Sequence, residues 1–343
     1  MHKKPIRLFW GENYSEKPQE VQEAIRRAVD TSISSINLYP GSLYQEVIEL
    51  IAKTLHVNSD QVVLGHGIEG LIHTTSLAFL NTDKKGGMFY PSFFVFDNNL
   101  KRYQRITVPC RYDQPVDFNQ FKEAITNTNV FFLASPNTAT GNYLLTHEQI
   151  EEVARFYKGL FVVDECYYGI GTQTVLDLIP KYGNILIYRG ITKVMGLGGL
   201  RLGFAIAQKP VIDKLKFHFT DIELDPLSNF SLQIFKETYP FFDVLAKTTN
   251  SFFENFLTYM QKEFVNDRLI KNQTTFCFLD LKNYTVPAFQ IMNYLSDHGY
   301  IMSDTKLSDN SSIHFPELLE LTPPPVEYWD DFAKTLRIAL NQK

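Results

Sequence analysis

Apolar positions fall at helical spacing twice near the start of the chain. Over residues 18–30, Val21, Ala24, Ile25, Ala28 and Val29 share one stripe, and Pro18 suits a first turn. Over residues 43–55, Val47, Leu50, Ile51 and Leu55 repeat the pattern. Between them, Asn37-Leu38-Tyr39-Pro40-Gly41 reads as a loop. Short apolar runs then alternate with helical segments. Runs at 61–64, 87–90, 105–108, 130–134, 160–163, 185–188 and 202–207 predict buried strands. Segments 68–80, 93–102, 117–126 and 146–157 predict helices. That alternation predicts an α/β domain with a largely parallel sheet, and ligands of such sheets sit at the carboxyl ends of the strands.

From about Pro226 the texture changes. A long Phe-rich helical stretch runs to about Glu263. A strand at 275–281, a helix near 288–298, a strand near 313–315 and a helix over 326–340 follow. This predicts a second, smaller α+β domain. The division expected is 35–240 for the large domain, and 1–34 with 241–343 for the small one.

Composition narrows the class. The chain has 343 residues and a net charge of −5, so it offers no footprint for nucleic acid or an anionic membrane. No run approaches 18 apolar residues, so no membrane span is expected. The three cysteines are scattered, and no CxxC spacing suggests zinc. The start of the chain lacks the apolar core of a secretory signal, so the cytoplasm is the expected compartment.

Five segments could carry chemistry. In Ile191-Thr192-Lys193-Val194-Met195-Gly196-Leu197-Gly198-Gly199-Leu200-Arg201, a lysine follows an apolar run and precedes a Gly-rich loop. Such a lysine can form a Schiff base, and an Arg entering an apolar element wants an anion. A surface lysine and a structural Arg would read the same way. In Phe161-Val162-Val163-Asp164-Glu165-Cys166-Tyr167, a strand ends in a carboxylate. Asp164 could bind a metal, act as a base, hold a heterocyclic N–H, or simply cap a helix. In Ser135-Pro136-Asn137-Thr138-Ala139-Thr140-Gly141, Asn137 is a candidate donor or an ordinary turn residue. Gly65-His66-Gly67-Ile68-Glu69-Gly70 leads a strand into a helix whose free N–H groups could cradle a phosphate. There Glu69 must turn away, or contribute only its N–H. In Tyr90-Pro91-Ser92-Phe93, Phe93 could stack on a ring or sit in a core.

Taken in order, these five segments resemble fold-type-I pyridoxal-5'-phosphate (PLP) enzymes. The branch is that of the histidinol-phosphate aminotransferases and threonine-phosphate decarboxylases. Asp164 and Lys193 stand 29 residues apart, and Lys193 and Arg201 stand 8 apart. The resemblance implies an aspartate-aminotransferase-like α/β fold, with a mostly parallel seven-stranded sheet and a smaller α+β domain. It implies that Lys193 holds the cofactor and moves protons, and that Asp164 binds the pyridine nitrogen. Tyr167 and Asn137 would bind the phenolate oxygen, and Phe93 would stack on the ring. Thr192, Arg201 and the N–H groups of Gly67, Ile68 and Glu69 would hold the phosphate. Tyr39 would reach the phosphate of a neighbouring subunit in a homodimer.

The implied activity is ping-pong transamination of a small amino compound. A PLP-dependent decarboxylase or lyase, and a non-catalytic PLP-binding protein, are the alternatives. Asn13, Tyr14 and His314 are candidate substrate contacts. The chain departs from the family in three places. The turn after Asn137 lacks its proline, and Gly190 stands where a phosphate-contacting Thr is common. The family's Arg for the substrate carboxylate, in a strand reading roughly Leu-Arg-Ile, is missing. In Ser311-Ser312-Ile313-His314-Phe315, His314 falls nearest to it.

Overall fold

The computed structural model describes residues 5–221, 227–302 and 314–342. β1 (Ile6–Arg7) leads to α1 (Gln19–Ile33) and α2 (Ser42–Leu55). The alternating region is β2 (Val62–His66), α3 (Gly67–Phe79), β3 (Lys85–Tyr90), α4 (Phe94–Leu100), β4 (Gln104–Pro109), α5 (Phe118–Thr126), β5 (Val130–Ala134), α6 (His147–Phe156), β6 (Leu160–Asp164), β7 (Ile185–Gly190) and β8 (Leu202–Ala207). α7 (Lys209–Asp221), α8 (Asn229–Thr238) and α9 (Phe242–Glu263) follow. The remainder is β9 (Leu269–Ile270), β10 (Cys277–Asp280), α10 (Ala288–Asp297), β11 (Tyr300–Ile301), β12 (Leu318–Leu321) and α11 (Trp329–Leu340).

The expected α/β architecture is present. Seven strands form one sheet in the order β2-β8-β7-β6-β5-β3-β4. β8 runs antiparallel to both its neighbours, and every other pairing is parallel. β5, β6 and β8 are buried along their whole length. Strands inside the sheet are covered on both faces, which is why they read as unbroken apolar runs. Capping explains two of the helix starts. The Asp117 carboxylate accepts from the N–H groups of Asn119 and Gln120, and Thr146 with Gln149 forms a capping box.

A second core gathers Ile6 and Leu8 with residues of α9, β10, α10, β12 and α11. β1 pairs with β11, so the start of the chain is stitched to its C-terminal part. Val21 of α1, by contrast, packs in the core of the large sheet.

Three expectations need correction. The long Phe-rich helix is two helices, because Pro240 breaks it within a short 3-10 turn. α7 was not expected from the pattern. The strand placed near 313–315 lies later, at Leu318–Leu321, where its register with β10 fixes it; Ile313 itself is outside the described residues.

Candidate active site

The five segments converge at the carboxyl edge of the sheet, where β2, β3, β5, β6 and β7 end. Asp164 closes β6 and is 1% exposed. Its Oδ1 accepts the Cys166 N–H at 3.0 Å. Burial pushes its carboxyl up to about 7, and hydrogen bonds from Cys166 and the charge of Lys193 oppose the rise. Lys193 follows the end of the neighbouring strand, β7. Its Nζ donates to the carbonyl oxygens of Trp10 at 2.6 Å and Gly11 at 3.3 Å. Burial lowers its ammonium below the usual range, while Cys166, Glu320, Glu12 and Asp164 pull it back up.

A second group of residues meets where β2 turns into α3. Gly67 opens the helix at φ 67°, a conformation that L side chains rarely adopt. A Cβ there would lie 3.2 Å from Nη2 of Arg201, so the guanidinium lies across the helix start. Arg201 itself sits at φ 53°. The first N–H groups of a helix have no partner within it, so this end presents donors beside a cation. Gly203 lets β8 come close to this turn, since a Cβ there would sit 2.9 Å from the Gly67 carbonyl carbon. Thr192 stands against Gly198 on the Lys193 loop. Ile68 packs close to Gly190, where a larger side chain would collide with it. Of the two expectations for Glu69, the first fails: the side chain does not turn away, since its Oε2 lies 3.4 Å from Nη2 of Arg201, and the second, that only its N–H serves, stands as a proposal.

Tyr167 is buried, and Nζ of Lys193 lies 5.8 Å from its ring centroid. Asn137 is fully buried. Its Oδ1 accepts the N–H groups of Ala139 and Thr140, and its Nδ2 donates to the Pro91 carbonyl at 3.3 Å. The Asx turn thus survives without the family's proline. Phe93 is half-buried and lies edge-on to Phe94 and Phe96.

The candidate substrate contacts fare differently. Asn13 donates to the Lys193 carbonyl at 2.8 Å and to Thr249 Oγ1 at 2.7 Å. It fastens the lysine loop rather than offering its amide to a substrate, because the N-terminal segment crosses that loop. The Tyr14 hydroxyl donates to the Arg7 carbonyl at 2.8 Å, and its ring packs on the second core. His314 is exposed at the rim, with its ring 5.8 Å edge-on to Tyr90. Tyr39 is 80% exposed, in a loop remote from these groups in sequence.

Pattern reading missed three features. The Trp10 and Gly11 carbonyls hold the lysine, and backbone acceptors leave no mark in residue type. Glu165 and Arg189 form a buried pair beneath the site, with Arg189 Nε and Nη2 donating to Oε2 at 3.0 and 2.9 Å. Glu320 on β12 is the third. A lone carboxylate in the run Leu318-Leu319-Glu320-Leu321 was its signal, lost because the strand was placed too early.

These groups fit PLP. A buried carboxylate suits a pyridinium N–H, a half-buried lysine suits the aldehyde, and Arg201 over a glycine-opened helix start suits the phosphate.

Residues 3–305 match the aminotransferase class I and II family. Histidinol-phosphate aminotransferase of Thermoanaerobacter pseudethanolicus is 28% identical over 66% of each chain, just under two thirds of that relative's length. The Bacillus subtilis enzyme of the same name is 25% identical over 90% of this chain and 85% of its own. Among solved structures, histidinol-phosphate aminotransferase from Sinorhizobium meliloti, in complex with pyridoxal-5'-phosphate, superposes with a TM-score of 0.83 at 18% identity, covering 98% of this chain and 92% of that one. L-threonine-O-3-phosphate decarboxylase from Porphyromonas gingivalis gives 0.74 at 17% identity, covering 96% and 100%. The structural likenesses speak for the fold; the family match over most of the chain speaks for descent. This chain belongs to the aminotransferase class I and II family.

Proposed function

We propose that this chain is a PLP-dependent aminotransferase acting on a small amino compound by ping-pong transamination. The observation that carries the reading is that Lys193, just beyond the end of β7, and Asp164, at the end of the adjacent β6, act on each other's charge, with Arg201 at the start of α3. When bound, the cofactor supplies an aldehyde for amines and a ring that accepts electrons.

The residues then divide the work. Lys193 holds the cofactor and, once released, carries the substrate's α-proton. Its lowered basicity suits that task near neutral pH. Asp164 keeps a proton on the pyridine nitrogen. Tyr167 and Asn137 would bind the phenolate oxygen, and Phe93 would stack on the ring. Arg201, Thr192 and the N–H groups of Gly67, Ile68 and Glu69 hold the phosphate. Asn13 fixes the lysine loop by binding its backbone.

The active unit in this reading is a homodimer. Tyr39 stands with Ile33, Ile36 and Leu38 in one stretch of exposed apolar side chains, which a second subunit would cover. A large domain over 35–240 and a small one over 1–34 and 241–343 complete the reading. A biosynthetic role in the reducing cytoplasm suits the three free cysteines.

An absorbance spectrum with PLP, for wild type and Lys193→Ala, tests the cofactor. A panel of amine donors then tests the reaction. The expected result is a lysine-linked band, absent in the variant, that converts to the pyridoxamine form with one donor. No such band in wild type sinks the cofactor reading. A band that no donor converts sinks transamination.

A further inference from the structure

β12 serves two sides. Leu319 and Leu321 belong to the second core, with Cys277 and Leu279 of β10. Successive side chains of a strand point to opposite faces. Leu318 and Glu320 therefore point the other way, as does Phe278, which stands opposite Glu320 in the ladder. That other face meets the active site. Leu318, Phe276 and Phe278 cluster with Tyr167. The Tyr167 ring lies 6.5 Å edge-on from Phe276 and 5.8 Å from Nζ of Lys193. The strand thus delivers Glu320 to the cleft wall that faces the lysine.

Charge and satisfaction agree with that placement. Glu320 retains some solvent contact although protein surrounds it, and its charge and that of Lys193 act on each other. Burial pushes its carboxyl up to about 7. Thr322 is 1% exposed, and its hydroxyl makes no complete hydrogen bond among the described residues, although it is close enough to act on Glu320. Glu12 adds a second carboxylate: Oε1 pairs with Arg7 at 2.5 Å, while Oε2 is buried and unpartnered. Arg7, Arg111, Arg189, Arg201, Arg268 and Arg337 are each already engaged by a carboxylate.

Carboxylates on this wall repel an α-carboxylate, and among the described residues the one cation acting on Glu320 is Lys193, which the cofactor would engage. We propose that the substrate is an amine of the diamine class, carrying a second cationic group in place of an α-carboxylate, and that Glu320 with Thr322 receives that group. The proposal rests on the cofactor reading above for the position of the reacting amine. It makes Glu320 the residue that determines specificity.

The test uses cofactor-loaded protein and three amines on one carbon frame: 1,2-diaminopropane, isopropylamine and alanine. Each is titrated against the absorbance of the lysine-linked cofactor. The diamine is expected to half-saturate at a concentration about tenfold lower than isopropylamine, with alanine weakest, as one charge-assisted hydrogen bond would give. Glu320→Gln should bring the diamine and isopropylamine within about threefold, with cofactor affinity held. Thr322→Val, which keeps the carboxylate, should weaken the diamine by about threefold, and it serves where Glu320→Gln does not fold.

A preference for alanine in wild type overturns the proposal, as does a diamine no better than isopropylamine. So does a diamine preference that survives both substitutions. A missing lysine-linked band overturns the cofactor reading instead. The inference is then read on the same protein by thermal shift, with 1,2-diaminopropane dihydrochloride against KCl at equal ionic strength. A rise specific to the diamine and lost in Glu320→Gln supports it; no rise overturns it.

Discussion

Nζ of Lys193 donates a 2.6 Å hydrogen bond to the carbonyl oxygen of Trp10. The next residue, Gly11, sits at φ 59°, and a Cβ there would lie 2.6 Å from the same nitrogen. The lysine and the N-terminal segment are thus fitted to each other across a separation of 183 residues. Gly11→Ala should strain the backbone and displace the amine. At about 1–3 kcal/mol of strain, cofactor affinity should fall by about 5- to 150-fold, read by spectral titration. An unchanged affinity would show that the segment does not position the lysine.

Arg201 and Glu69 predict opposite effects at the phosphate end. Arg201→Ala should weaken cofactor binding by about 1.5–3 kcal/mol, the value of a hydrogen bond to a charged group. Glu69→Gln should strengthen it, because the carboxylate competes with phosphate for the same guanidinium. Both partners are well exposed, so Glu69→Gln should change folding stability by less than about 1 kcal/mol. Calorimetric titration with PLP and urea denaturation check the two parts.

The buried pair of Glu165 and Arg189 supports the floor of the site. Their side chains are 1% and 4% exposed, and Glu165 also accepts from Thr174 Oγ1 and the Val175 N–H. Arg189→Ala would strand the Glu165 charge and should cost about 3–5 kcal/mol of stability. Urea denaturation reads this directly. A loss below 1 kcal/mol would mean that water replaces the guanidinium.

Asp164 and Glu320 make stability depend on pH. Both carboxyls are raised to about 7, from ordinary values of 3.8 and 4.5. Between those limits the native state binds more protons than the unfolded chain. Stability contributed by these groups is therefore greatest at the acid end and is lost as pH rises towards 7. The melting temperature of cofactor-free protein should show this falling component over that window. Asp164→Asn and Glu320→Gln should each flatten it, and bound PLP should remove the part due to Asp164. A slope unaltered in both variants would refute the assignment.

The α/β class, the seven strands and the candidate cofactor residues were legible in the sequence. Each depends on local pattern: apolar runs for central strands, capping residues for helices, and polar groups placed just after strand ends. Residues 202–207 and 130–134 read as strands and are strands, because both faces are covered. β1 and β11, two residues each, are held by pairing across nearly the whole chain, and no local run announces them. The register of β12 was likewise decided by β10, and a shift of a few residues changes which side chain meets the cleft. His314 was singled out by placing that strand near 313–315, whereas the ladder pairs 318–321 and sets Glu320 opposite Phe278. The sequence by itself determined the fold class and the residues that suit the cofactor, since those follow from short-range periodicity and residue chemistry. Only the tertiary structure decided what else acts on Lys193 — the Trp10 carbonyl that it binds, and the charges of Glu12 and Glu320 — because contacts between distant segments depend on sheet register and chain crossing.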